Sequence, residues 1–293
     1  MEVIEAYRNI LLCIHNRPPH LSLWNVRKGA KQLENMVTAC EQVGSFAAIR
    51  AQVNLQIMNM DQEMLNRSIA QDPVRYLNIA TPLQCRQIFD EALVHLTGSY
   101  PIWTAFPTSA DTISPDIMTL IKKKAEQLRR ARDAVDREII LDLFIPGADD
   151  KPRNPRRPGD FEDWFICNLI RDRYCIAVRK CQIENPTDGT LYRMIADGGE
   201  EFLSADELQQ VCSIYQSELS GKYGSFLDVR ETLDQLKAEM KESVRDLVVN
   251  NTRVKVDDVG LKYLTCTKVV REDYPWHMEI QREESPDDDM QME

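Results

Sequence analysis

The stretch SFAAIRAQVNLQIMNMDQEMLNRSI, residues 45–69, decides the fold class. Phe46, Ile49, Val53, Ile57, Met60, Met64 and Ile69 recur in it at the spacing of one helix face, until Asp72-Pro73 stops the pattern. The spacing predicts one helix of about 24 residues, capped by Ser45 and long enough to be the spine of a bundle.

The flanks repeat the helical period. Ile4, Tyr7, Ile10, Leu11 and Ile14 predict a first helix that ends before Arg17-Pro18-Pro19. Leu23, Val26, Ala30, Leu33, Val37 and Cys40 predict a second, started by Ser22 and closed by Gly44. Thr81-Pro82-Leu83-Gln84 reads as the start of a fourth helix reaching about residue 96. Ser114-Pro115-Asp116 opens a fifth, whose stripe of Met118, Ile121, Ala125, Leu128, Val135, Ile139 and Leu143 ends before Pro146-Gly147.

Beyond this point the pattern changes. Residues 146–159 hold four prolines, two glycines and no large apolar residue apart from a single alanine's worth of hydrophobic surface, which marks a linker. Asp160 begins a short helix through Phe161, Trp164, Phe165 and Leu169. Tyr174–Ile183 and Thr190–Ala196 flank the turn residues Asn185-Pro186-Thr187-Asp188-Gly189, so a hairpin is expected. Ser204–Glu207 has the form of a capping box, and Phe226, Val229, Leu233, Leu236, Met240, Val244 and Leu247 form a heptad-like stripe behind Ser225. Thr252–Val256 and Leu261–Val270 carry the β-branching of strands.

The expected architecture is therefore mainly α. It comprises a helical bundle domain (1–145), a basic Pro-rich linker (146–160), a smaller α+β domain with a small sheet and a long helix (161–270), and an acidic tail (271–293).

Apolar residues at 43% and charged residues at 28% are ordinary for a chain that folds. Glu2, Glu5 and Arg8 stand where a signal peptide needs an apolar core, and no run is long enough to span a bilayer, so an intracellular, cytoplasmic protein is expected. The eight cysteines form no C-x-x-C pair and read as reduced thiols. The net charge of −11 is uneven: residues 271–293 carry nine carboxylates against Arg271 and Arg282, a net of −7, which leaves −4 for the other 270 residues.

Reactive frames are missing. Cys13, His15 and His20 cluster in sequence, but their spacing fits no zinc pattern, and packing explains Cys13. The four histidines (15, 20, 95 and 277) sit in no G-x-S-x-G or H-E-x-x-H context, and His95 at a helix end suits the helix dipole. No phosphate-cradling glycine loop occurs, and Pro186 spoils the 185–190 turn as a calcium loop. We expect no catalytic residues, no metal, no cofactor and no small-molecule substrate.

Two basic stretches remain. Lys122, Lys123, Lys124, Arg129, Arg130, Arg132 and Arg137 share the fifth helix with Glu126, Asp133, Asp136 and Glu138, which suits a solvated face laced with ion pairs. Lys151, Arg153, Arg156 and Arg157 in the linker are less compensated and fit a phosphate backbone or an acidic partner. The tail, with Asp287, Asp288 and Asp289, fits a basic surface of another copy.

Leu33-Glu34-Asn35-Met36-Val37-Thr38-Ala39-Cys40-Glu41-Gln42-Val43-Gly44 resembles the last helix of lentiviral capsid proteins. No zinc-knuckle cysteines follow it, and no residue role is carried over from that family.

The expectation for function is a non-enzymatic structural or assembly subunit that contacts copies of itself or another protein, of which a viral capsid or virion component is one form. RNA binding through the basic helix 122–137 and the linker 151–157 is the alternative, and an intracellular adaptor is a third reading.

Overall fold

Helix caps decide where this chain breaks, and they break it more often than its apolar stripes suggest. In the computed structural model, which describes residues 2–103, 105–143, 154, 156, 160–211, 213 and 229–277, the chain is mainly helical and no strand occurs among the described residues.

The helices are α1 (Glu2–Ile14), α2 (Val26–Val43), α3 (Phe46–Met58), α4 (Gln62–Gln71), α5 (Pro73–Leu83), α6 (Arg86–Ser99), α7 (Pro115–Arg137), α8 (Phe161–Glu184), α9 (Thr190–Ala196), α10 (Val229–Val244) and α11 (Val256–Val259). Two compact units form. The first is built from residues 1–126, 250–261 and 267–293, the second from 127–249 and 262–266. The chain leaves the first unit within α7 and returns to it after α10.

The expected 24-residue spine is two helices. Asp61 accepts the backbone N–H of Met64 at 3.0 Å and so starts α4, while the Gln62 amide donates to the carbonyls of Ile57 at 2.9 Å and Met60 at 3.0 Å at the end of α3. The apolar stripe continues through this break because Ile49, Val53, Ile57, Met60 and Ile69 are all buried, while Met64 is exposed. The second helix begins at Asn25, whose side chain accepts from Lys28 N–H, and not at Ser22. Gly44 ends it in the left-handed conformation at φ 64°.

The expected start at Thr81-Pro82 is instead the last turn of α5. That helix begins at Pro73 behind the Asp72 cap, and Gln84, left-handed at φ 51°, precedes α6. Proline favours a first turn, where its missing N–H costs nothing, so Pro82, which lies inside the last turn of α5, gives a false start signal.

In the first unit α1 packs on α2 and α3, and α5 on α6, α2, α3 and α4. Its core includes Leu33, Met36, Cys40, Ile49, Ile57, Leu65, Ile69, Leu77 and Phe89. The returning segment is pinned by buried charge. Glu91 accepts the Arg253 N–H on both carboxylate oxygens, Asn251 donates to the Thr267 carbonyl, and Lys124 pairs with Asp273 at 2.5 Å.

The second unit corrects the expected α+β domain. Tyr174–Ile183 and Thr190–Ala196 are not a hairpin but parts of α8 and α9, and Asn185–Gly189 is the turn between helices. Buried Ile166, Cys167, Ile170 and Tyr174 keep helical spacing, which outweighs the β-branched residues after them. Thr252–Val256 and Leu261–Val270 form no sheet; one isolated bridge joins Asp188 to Tyr263. Their alternation reflects burial of Val254, Leu264, Thr265 and Thr267 without a partner strand.

Ser204 does cap a helical segment, accepting from Glu207 N–H at 3.0 Å. The heptad-like stripe of α10 is consumed inside the unit: Leu233, Leu236, Met240 and Val244 are buried, and the helix packs on α8 and α9. The start expected at Ser225, and Phe226, lie outside the described residues.

Candidate interaction surface

α3 is the element whose exposed side is unlike that of a normal surface helix. Gly44 and Ser45 set its start, and Ile49, Val53 and Ile57 bury its inner side completely. Its one charged residue, Arg50, turns away from solvent and donates to the Pro82 carbonyl at 3.2 Å. Asn54 likewise donates to Leu83 O at 3.4 Å. The exposed residues at helical spacing are then Ala47, Ala48, Ala51, Leu55 and Met58, with Leu55 52% and Met58 63% exposed. A helix on a water-facing surface ordinarily turns charged and polar residues outward; here the polar Gln52 and Gln56 are only half-exposed, and an exposed face this apolar is suited to being covered.

Trp24, in the loop before α2, is 87% exposed. The Leu23 carbonyl accepts from Asp61 N–H at 3.2 Å, which ties the Trp24 loop to the α3–α4 turn, where Met58 and Met64 are both exposed. Tryptophan and methionine together are the residue types that anchor protein contacts, the first by area and the second by adaptability.

α1 carries a second exposed apolar stripe, Val3, Ile4, Leu11 and Ile14. Beside it Arg8, Leu11, Leu12, His15 and Arg17 line one shallow hollow.

The cations singled out from the sequence separate on inspection. Lys122 and Lys123 are exposed on α7, but Arg129 pairs with Asp133 at 2.8 Å. Arg130 is exposed, and Arg156 is exposed in a turn where its N–H donates to Asn154 Oδ1 at 3.0 Å. Lys151, Arg153, Arg157 and the tail residues Asp287, Asp288 and Asp289 lie outside the described residues. The aromatic loop near Tyr100–Phe106 turns inward in part: the Trp103 indole donates to Leu96 O at 3.1 Å and its ring meets Tyr100 edge-on.

Cys13, His15 and His20 do not converge. Cys13 is buried, whereas His15 and His20 are exposed and the His20 backbone N–H donates to Asn9. No group of three or more metal-ligand side chains comes together among the described residues.

Sequence reading missed two buried polar centres. Lys124, one of the seven cations expected on a solvated face, is buried, and Ile117, Ile121 and Lys124 share the spacing of a buried stripe. In the second unit the Asp136 carboxylate accepts the hydroxyls of Tyr174 at 2.6 Å and Tyr192 at 2.8 Å, with the Arg132 guanidinium 5.5 Å from the Tyr192 ring centre. Burial, together with the Asp136 charge, holds the Tyr174 phenol far above its usual range, and burial raises that of Tyr192. Both rings are packed in the core and both hydroxyls donate to the same oxygen, Oδ1, so the group is a polar anchor with the phenols held neutral.

No family model, no curated protein and no solved structure matches this chain. No described helix is long and apolar enough to cross a membrane.

Proposed function

We propose that the chain is a non-enzymatic assembly subunit whose copies associate through α3. The observation that carries this reading is the charge-free exposed face of α3, with Leu55 and Met58 more than half exposed.

Its shape suits a second copy in particular. Small residues (Ala47, Ala48, Ala51) occupy the N-terminal part of the face and large ones (Leu55, Met58) the C-terminal part. Two copies related by a two-fold axis and crossing antiparallel would lay the large side chains of one over the small ones of the other. With no charge on the face, such a pairing brings no like charges together across the axis.

Sedimentation velocity over a concentration series up to about 100 µM tests it, a range in which interfaces of modest area populate. We expect concentration-dependent association by the wild type. Leu55→Glu with Met58→Glu should weaken it at least about tenfold, because each buried unpaired charge costs more than 1.4 kcal/mol. Circular dichroism of both forms should coincide. A wild type that stays monomeric throughout, or a variant that associates as strongly, overturns the reading.

A further inference from the structure

The hollow on α1 joins three positively charged or chargeable side chains to an apolar border. Arg8 lies on the helix, His15 and Arg17 follow its end, and Leu11 and Leu12 complete the lining. All three polar side chains are exposed, and none is held by a carboxylate among the described residues. The acidic residues of the same helix face elsewhere: Glu5 accepts from the Gln32 amide at 2.9 Å and Glu2 from Asn35 at 3.4 Å, both on α2. What fits this place is a segment with several carboxylates and a few apolar side chains.

Residues 278–293 have that composition. They carry seven carboxylates against Arg282, together with Met278, Ile280, Met290 and Met292. They follow directly on the Tyr274–His277 segment, which belongs to the same unit as α1. Sixteen residues reach up to about 50 Å when extended, against about 40 Å for the diameter of a unit of this size. Tethering raises the effective concentration of such a segment to the millimolar range, enough for a shallow, charge-guided site to be occupied.

We propose that residues 278–293 dock in cis on the α1 hollow, their carboxylates on Arg8 and Arg17 and their apolar side chains along Leu11, Ile14 and Ile4. The docked segment covers the exposed stripe of α1. This inference is independent of α3 and holds whether or not copies associate.

The full-length chain tests it with a benzophenone amino acid placed at Leu11, an exposed position that folding does not require. After irradiation at low salt, mass spectrometry should find the cross-link in residues 278–293. Its yield should fall at least fivefold in 1 M salt and in Arg8→Glu/Arg17→Glu, and return when Asp287, Asp288 and Asp289 are also changed to Lys. A mixture of heavy and light chains should give cross-links within one isotope class. Cross-links to other segments, yields indifferent to the charge reversal, or heavy–light pairs would each overturn docking in cis.

Discussion

The Glu91 carboxylate holds the backbone N–H of Arg253 with both oxygens, at 3.0 and 2.9 Å, across 162 residues of chain. Glu91 is 2% exposed, and His95 Nε2 lies 3.4 Å from one of its oxygens. The contact attaches the segment returning from the second unit to α6 of the first. Glu91→Ala removes the acceptor and leaves a void, so we expect a loss of about 2–3 kcal/mol. Glu91→Gln keeps one acceptor oxygen and should lose about 1 kcal/mol. Urea unfolding followed by circular dichroism measures both, and equal, near-zero shifts in midpoint would show that the segment is held by other means.

The pair Lys124–Asp273 is a second clamp, on the stretch that rejoins the first unit at Thr267. Its side chains are 10% and 9% exposed, Lys124 also donates to Lys268 O at 2.9 Å, and Asp273 accepts from Val270 N–H at 2.8 Å. Lys124→Met strands a buried carboxylate and should cost about 3–5 kcal/mol, while Lys124→Met with Asp273→Leu should recover much of that loss. A double-mutant cycle reads the coupling directly. Additive single effects would mean that the two charges act separately.

How far the sequence revealed this fold depends on which kind of signal was present. Asp61 and Asp72 each cap a helix, yet the apolar stripe over 45–69 runs unbroken through the first of these caps, so periodicity concealed the division between α3 and α4. The expected hairpin failed because Cys175, Ile176, Ala177 and Val178 are apolar in succession, a run that suits a strand or a helix equally. Lys124 is the converse case. Charge marked it as solvated, while its position one turn after Ile121 placed it in the core. The uncharged outer face of α3 was present in the residues 47, 48, 51, 55 and 58, but a sequence cannot say which side of an apolar helix is covered.

Alkaline pH should weaken the second unit through Tyr174 and Tyr192. Burial raises both phenols above their usual value, so the unfolded chain releases these protons first, near pH 10, while the folded chain retains them. Fewer protons on the unfolded state means that stability is fully present below about pH 10 and declines as pH rises beyond it. Tyr174→Phe removes one hydroxyl from Asp136 and should cost about 1 kcal/mol at pH 7, yet flatten the decline between about pH 10 and 11. Unfolding midpoints across that range decide it, and an unchanged slope in the variant would remove Tyr174 from the account.

Cys13 offers a chemical reading of the first unit's core. It is 1% exposed, and burial, with a contribution from neighbouring Cys40, pushes its thiol up to about 11. Thiolate is the reactive form, so at pH 8 Cys13 is slowed by both lack of access and lack of charge. Exposed Cys175 carries no such steric barrier. Iodoacetamide labelling of the native chain, read peptide by peptide, should modify Cys175 at least a hundredfold faster than Cys13, Cys40 or Cys85, and dilute urea should abolish the difference only where the first unit unfolds. Because the folded state keeps the Cys13 proton longer than the unfolded chain, the stability linked to it is complete below about pH 9 and is lost toward pH 11. Cys13→Ala should remove that loss while leaving a small cavity cost at neutral pH, and rapid native labelling of Cys13 would show that α1 is not packed on α2 as described.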